Sequence, residues 1–439
     1  MSTLQESRSL RPALALGLAM FLPAFGTHGL NAGRGELARA LSLPADGGRM
    51  ALLMAGFALA AVVAYAWVGA YGDRRGLRRS LRGGVLLFTA AHALLLIAAP
   101  LADALALPRW LLFLALRLVA GLAGGAITVS ANALGGLLYA TAQRGRAMSL
   151  VWLGVPLALV VGVPLPLTLG PLFARLPETV RPWLGEPYAA VALLAGLIAC
   201  VSVLRAVPEP ELAAVPASGA APDAAHAAAS AAAATLPPLR ATWWVYATSF
   251  LMPFGVFPLI VSADPYAARS LHFTAGERAQ LLLVLGVASV AGGLLSSMVA
   301  DRLGRRRTLL ASLALFAGLT ALLPWCGAFG YVALAALLGL VSTVRQGPFQ
   351  ALASFLADQR GRGRFSARIL IASQLGISGG QFAGIALVRT VGAASGDSPF
   401  ALTHLVVASL ACTVVALLLA MRLVEPPAPP AAARSGASA

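Results

Sequence analysis

Lysine is absent from the 439-residue chain: all 32 basic residues are arginine. An absence that complete reads as a coding bias rather than a functional choice. Charge of either sign is scarce, at 11% of residues against about 25% in an ordinary soluble domain. With 59% hydrophobic residues and a mean hydropathy of +0.83, that scarcity excludes a soluble globule and marks a membrane composition. Only 16 residues are acidic, leaving a net charge of +16. In a soluble protein this surplus would suggest nucleic acid, but next to apolar spans it reads as membrane topology. The three cysteines, Cys200, Cys326 and Cys412, lie in or at the ends of apolar stretches without pairing or metal-ligand spacing, so neither a disulfide framework nor a metal site is expected. There is no HExxH, no GxGD, no pair of acids within a span and no Ser/His arrangement at one depth. An enzyme embedded in the membrane would need one of these, so neither an enzyme nor a cofactor is expected.

What is present is a series of apolar stretches of spanning length, bounded by Arg, Gly, Pro or Asp. They cover residues 11–32, 50–71, 81–103, 109–140, 147–173, 187–206, 241–263, 279–300, 307–326, 330–357, 366–390 and 400–422. Arg8 and Arg11 before the first stretch imitate a signal peptide, but the run is long and many follow, so it reads as the first of twelve spans. Positive charge collects on the cytoplasmic side of short loops. With both termini inside, 21 arginines fall on the cytoplasmic side, 9 outside, and Arg117 and Arg345 within spans. The Ala/Pro-rich stretch 207–240 cannot bury a core and reads as a flexible cytoplasmic linker. It separates six-span bundles at 1–206 and 241–424, with a disordered tail over 425–439.

Two loops carry nearly the same string. GAYGDRRGLRR runs from Gly69 to Arg79 after the second span, and SMVADRLGRRR from Ser297 to Arg307 after the eighth. Asp73/Asp301, Arg74/Arg302 and Gly76/Gly304 pair at an offset of 228, and Gln143–Arg146 recurs as Gln359–Arg362. Six spans repeated in the same orientation imply a pseudo-two-fold axis along the membrane normal and a cavity where the halves face. At these residues the chain resembles the major facilitator superfamily of secondary transporters, whose loop signature G-x3-D-R/K-x-G-x-R/K-R/K is met by Gly69, Asp73, Arg74, Gly76, Arg78 and Arg79. The resemblance implies an all-α membrane fold of two pseudo-symmetric six-helix bundles. It also implies that this loop latches the halves in one conformation, with Asp301, Arg302, Gly304 and Arg305 as the second copy. An ion-paired carboxylate at a helix end can hold two helix ends together in one state and release them in another.

Arg117 opens Arg117-x3-Gly121-x2-Gly124-Gly125, which looks like the family's fourth-span motif for proton handling or substrate contact. An arginine at that depth should face a wet cavity or a partner. Arg345 is the other buried arginine, with Gln346 and Gln350 nearby; the 228 offset makes it the repeat partner of Arg117, while matching Arg144–Arg146 to Arg362–Arg364 gives 218 and does not. In the fifth span Gly154, Gly162, Gly170 and Pro171 partly resemble the glycine-rich pattern of antiporters in the superfamily and favour export, their expected place being the interface between halves. None of the sixteen acids lies in the middle of a span. Either Asp264 or His28 titrates near the cavity and couples the cycle, or an anionic substrate neutralises the buried arginines. Cavity-lining residues expected besides these are Asn31, Asn132, Tyr246, Gln346, Gln350, Gln374 and Gln381. The resulting expectation is a monomeric secondary transporter, most like the twelve-span drug/metabolite proton antiporters. It would sit in the cytoplasmic membrane and export a small organic molecule against protons, with no nucleic-acid partner. Organic-anion uptake or exchange, or a transporter-like sensor, are the alternatives.

Overall fold

Spanning stretches in lipid must satisfy their own backbone groups, which apolar segments of this length do as helices. The structure, a computed structural model, describes residues 9–32, 37, 41–43, 48–139, 141–162, 175, 187–208, 239–356, 362–395 and 398–424. The linker beyond Pro208 and the tail after Val424 lie outside them. The helices are α1 (Arg11–Ala32), α2 (Gly48–Arg75), α3 (Leu77–Leu96), α4 (Ala98–Ala104), α5 (Arg109–Leu137), α6 (Thr141–Trp152), α7 (Gly154–Gly162), α8 (Pro187–Ala206), α9 (Leu239–Arg269), α10 (Ala275–Leu303), α11 (Arg305–Leu322), α12 (Ala328–Val344), α13 (Gln346–Ser354), α14 (Arg362–Ser395) and α15 (Ser398–Ala420). Every expected span is met by helix among the described residues, the fifth as far as Gly162. Among the described residues nine helices are long and apolar enough to cross a membrane and the bent pair α3/α4 makes a tenth, while α1 and α14 occupy the first and eleventh expected spans.

Among the described residues three spans are broken, and proline accounts for each break. Pro100, Pro156 and Pro348 have no N–H to return to the carbonyls of Leu96, Trp152 and Val344, and the helices part at Ile97, Leu153 and Arg345. The first break turns α3 and α4 by 71°. At the third, the freed Val344 carbonyl accepts the Ser296 hydroxyl of α10 at 2.8 Å. Both Arg-rich loops turn on a glycine with positive φ, Gly76 at 99° and Gly304 at 85°, a conformation in which any other side chain is strained.

The packing repeats between halves: α1 lies against α6, α7 and α8, and α9 lies against α14 and α15. The N-terminal half has its own core around Leu16, Phe25, Phe57 and Phe88; the C-terminal half is built around Leu309, Phe349 and Phe365 and around Phe316 and Tyr331. Between the halves α14 packs on α2 and α5, and α10 and α13 pack on α6. A separate cluster of Ala61, Ala64, Tyr65, Val68, Val129, Ala367 and Leu370 seals the first of these contacts.

Candidate functional site

At the end that carries both Arg-rich loops, the last turn of α2 meets the first turn of α14. The first N–H groups of a helix have no partner within it and carry the positive end of its dipole. Asp73 supplies both needs: Oδ1 accepts the Gly363 amide at 2.9 Å, Oδ2 accepts the Arg364 amide at 3.1 Å, and the Arg364 guanidinium stands 3.4 Å from Oδ2. Burial raises the Asp73 carboxyl above its ordinary value, against the pull of these two amides and the guanidinium. The approach depends on paired glycines, since a Cβ on Gly69 would stand 2.9 Å from the Gly363 carbonyl and one on Gly363 would stand 2.8 Å from the Gly69 carbonyl. Beside them Arg362 donates to the Gly136 carbonyl at 2.7 Å, again across the halves.

The second copy is placed differently. Asp301 is exposed and accepts no hydrogen bond among the described residues. Burial raises its carboxyl, with Arg305 and Arg146 opposing. Gly145, which by the Arg-Gly-Arg match should face Asp301 as Gly363 faces Asp73, has the Arg305 side chain against it instead. Arg144 and Arg305 both lie over the Phe355 ring, at 4.6 and 5.5 Å. Burial, then the neighbouring Arg362 and Arg305, bring Arg144 down to about 10. Arg74, Arg79 and Arg302 are exposed and Arg78 is half-buried.

Arg117 and Arg345 are the largest fully buried side chains, 0% and 1% exposed. Each donates to a carbonyl on the first span of its own half, Arg117 to Gly26 at 2.7 Å and Arg345 to Met252 at 3.1 Å. Each also lies over a phenylalanine, Phe57 at 4.9 Å and Phe316 at 4.7 Å. They are not equivalent in depth: Arg117 is eight residues past the start of α5 at Arg109, Arg345 seventeen past the start of α12 at Ala328. The 228 spacing therefore does not relate them. Gly121, Gly124 and Gly125 let α5 approach α2 closely, with Gly121 against the Phe57 carbonyl and Gly124 against the Phe57 ring, which brings that ring under the guanidinium.

Arg117 also donates to the Tyr188 hydroxyl at 2.9 Å. That hydroxyl is 3.3 Å from His92 Nε2, and His92 Nδ1 is 2.9 Å from the Phe88 carbonyl. The network assigns a proton to Nδ1 and leaves Nε2 to accept from Tyr188. Both residues are buried, and the sequence reasoning missed both. The available signal was a histidine within an apolar run, which marks a functional position in a membrane.

Asn132 and Gln350 meet across the halves at 3.3 Å, and Trp152 Nε1 donates to Asn132 Oδ1 at 3.0 Å. Close by, a cavity of about 200 Å³ is lined by α6, α7 and α9 to α14, with Arg345 and Gln346 in its wall. Tyr246 packs on Phe365 at 5.9 Å, its buried hydroxyl unpartnered. Gln374 and Gln381 are half-buried on α14 and do not line this cavity. His28 and Asn31 on α1 and Asp264 on α9 have side chains outside the described residues. Gly154 lies against the Gly17 carbonyl of α1 within its own half, rather than between halves as expected; Leu153, on the same span, touches Gly293 across the interface. Gly170 and Pro171 lie outside the described residues.

A sequence profile of the Major Facilitator Superfamily matches residues 13–381 and, separately, 245–438. No curated protein sequence matches. Among solved structures, the E. coli fucose:proton symporter FucP superposes with a TM-score of 0.70 at 15% identity, over 95% of this chain and 100% of that one. The proton:xylose symporter XylE gives 0.72 at 15%, over 94% and 95%. The human organic anion transporter MFSD10 gives 0.67 at 17%, over 93% and 100%. At such identities the likeness speaks for the fold, and the profile for the family. The chain is a multi-pass membrane protein that belongs to the major facilitator superfamily, a transporter and not an enzyme.

Proposed function

We infer that the protein is a proton-coupled exporter of a small organic molecule that works by alternating access. In this reading it is a monomer in the cytoplasmic membrane, with the Arg-rich loops, both termini and the linker on the cytoplasmic side. The observation that carries it is the Asp73 carboxylate on the first turn of α14. This contact joins the halves at one end, is polar enough to be exchanged for water, and so can open without unfolding either bundle. The second loop would release independently, since Asp301 has no comparable dock. The glycine pattern of the fifth span favours export, as in the antiporters it partly resembles.

Coupling needs a titratable group within the bundle, and no acid lies in the middle of a span. His92, joined through Tyr188 to Arg117, is a buried titratable group of suitable intrinsic range. Two structural relatives, FucP and XylE, are proton symporters by name. Inverted vesicles loaded by an imposed pH gradient test this reading. The protein should accumulate a substrate from an organic-compound panel and lose it on addition of a protonophore, and His92→Gln should uncouple the two. Accumulation that ignores the gradient would remove proton coupling.

The alternative of an organic-anion carrier is favoured by one observation, the buried Arg345 in the wall of the cavity with Nε and Nη1 unpartnered.

A further inference from the structure

The cavity beside Arg345 has an apolar wall of Val256, Ile260, Leu281, Leu285, Phe316 and Leu338. Three of the hydroxyls in its wall already donate to backbone carbonyls. Ser289 donates to the Leu285 carbonyl at 2.8 Å, Ser342 to that of Gly339 at 2.9 Å, and Thr343 to that of Ser289 at 2.7 Å. No Asp or Glu is among the described residues that line it. Among the described lining residues Arg345 alone brings charge, and it is 1% exposed with one carbonyl partner for Nη2 and none for Nε or Nη1. An arginine does not shed its proton in a protein, and a buried cation without a counter-charge is costly. The Phe316 face at 4.7 Å offsets part of that cost and supplies no acceptor.

We propose that this cavity is the binding site for a hydrophobic monocarboxylate, with its carboxylate on the Arg345 guanidinium and its apolar body against the walls of α9, α10 and α12. The proposal rests on the organic-anion reading and names its substrate class. A carboxylate provides both the missing acceptor and the missing charge, and charge-assisted bonds of this kind are the strong ones. The half-buried Gln346 amide, next in sequence and also in the wall, adds a donor. A cation is repelled, and a neutral amide brings an acceptor without the charge. A volume of about 200 Å³ has room for a substituted benzoate.

Calorimetric titration of the full-length protein in lipid nanodiscs tests this with para-ethylbenzoate, its amide para-ethylbenzamide, and para-ethylbenzylamine as the cation. The parent should bind the carboxylate saturably, bind the amide about tenfold or more weakly, and not bind the amine. Arg345→Gln should weaken carboxylate binding by about tenfold or more. Ala335→Phe, which leaves Arg345 in place and fills the cavity, should abolish binding and keeps the test decisive if Arg345→Gln does not fold. Equal binding of carboxylate and amide, undiminished carboxylate binding in Ala335→Phe, or no carboxylate binding by the parent would each overturn the proposal. The opening of the Asp73 contact, followed in the same nanodiscs by spin-label distances, separates the two readings. Opening without carboxylate binding removes the substrate class and leaves the transporter; binding without opening does the reverse.

Discussion

The Asp73 carboxylate accepts the Gly363 amide at 2.9 Å from 290 residues away, and this bond ties the second span of one half to the eleventh span of the other. Asp301, the same residue in the second copy of the motif, is exposed and makes no such bond. The two copies share a sequence and a glycine turn, but in this conformation one of them carries the contact.

Substituting the two aspartates should therefore have unequal effects. Asp73→Asn turns one acceptor into a donor that faces an amide donor, removing a charge-assisted bond worth about 2 kcal/mol. Transport should fall at least severalfold with membrane insertion unchanged, while Asp301→Asn stays within about twofold. A transport assay on both variants checks this, and an unchanged rate for Asp73→Asn would remove the latch role.

Tyr188 holds Arg117 and His92 together. Tyr188→Phe keeps the ring that stacks on Phe25 at 4.9 Å and deletes only the hydroxyl. Arg117 then loses one of its two acceptors, so the midpoint of thermal unfolding should drop by the equivalent of about 1–3 kcal/mol. A melt within error of the parent would show that the hydroxyl contributes no stability.

Helix approach in the N-terminal half depends on small residues between α5 and α2. Gly121→Leu would drive a side chain into the Phe57 backbone and should abolish the monodisperse peak in size-exclusion chromatography. Gly83, also within a helix, has open space where its Cβ would stand. Gly83→Ala should be neutral or stabilise by about 0.5–1 kcal/mol. If both variants behave alike, the close approach at Gly121 is not a constraint on the fold.

The twelve spans were legible because hydropathy over about twenty residues reads directly as a spanning helix. The breaks at Ile97, Leu153 and Arg345 were written in Pro100, Pro156 and Pro348, but hydropathy averages over a lost hydrogen bond and each span read as continuous. Arg117 and Arg345 were found because a buried charge stands out against an apolar run; their unequal depth was not, since residue offsets carry loop lengths that need not match between halves. His92 and Tyr188 escaped because their meaning lies in a meeting of the third and sixth spans. The partner of Asp73 escaped for the same reason: Gly363 matters only once the halves dock.

Alternating access is tested most directly by the distance between the halves at the Arg-rich end. Spin labels at Arg75→Cys on α2 and Arg307→Cys on α11, both exposed, report it by pulsed electron resonance in nanodiscs. With Asp73 intact the distribution should be dominated by one short distance, and adding Asp73→Asn should populate a second, longer one as the halves part. A single distribution, identical with and without Asp73→Asn, would contradict the account.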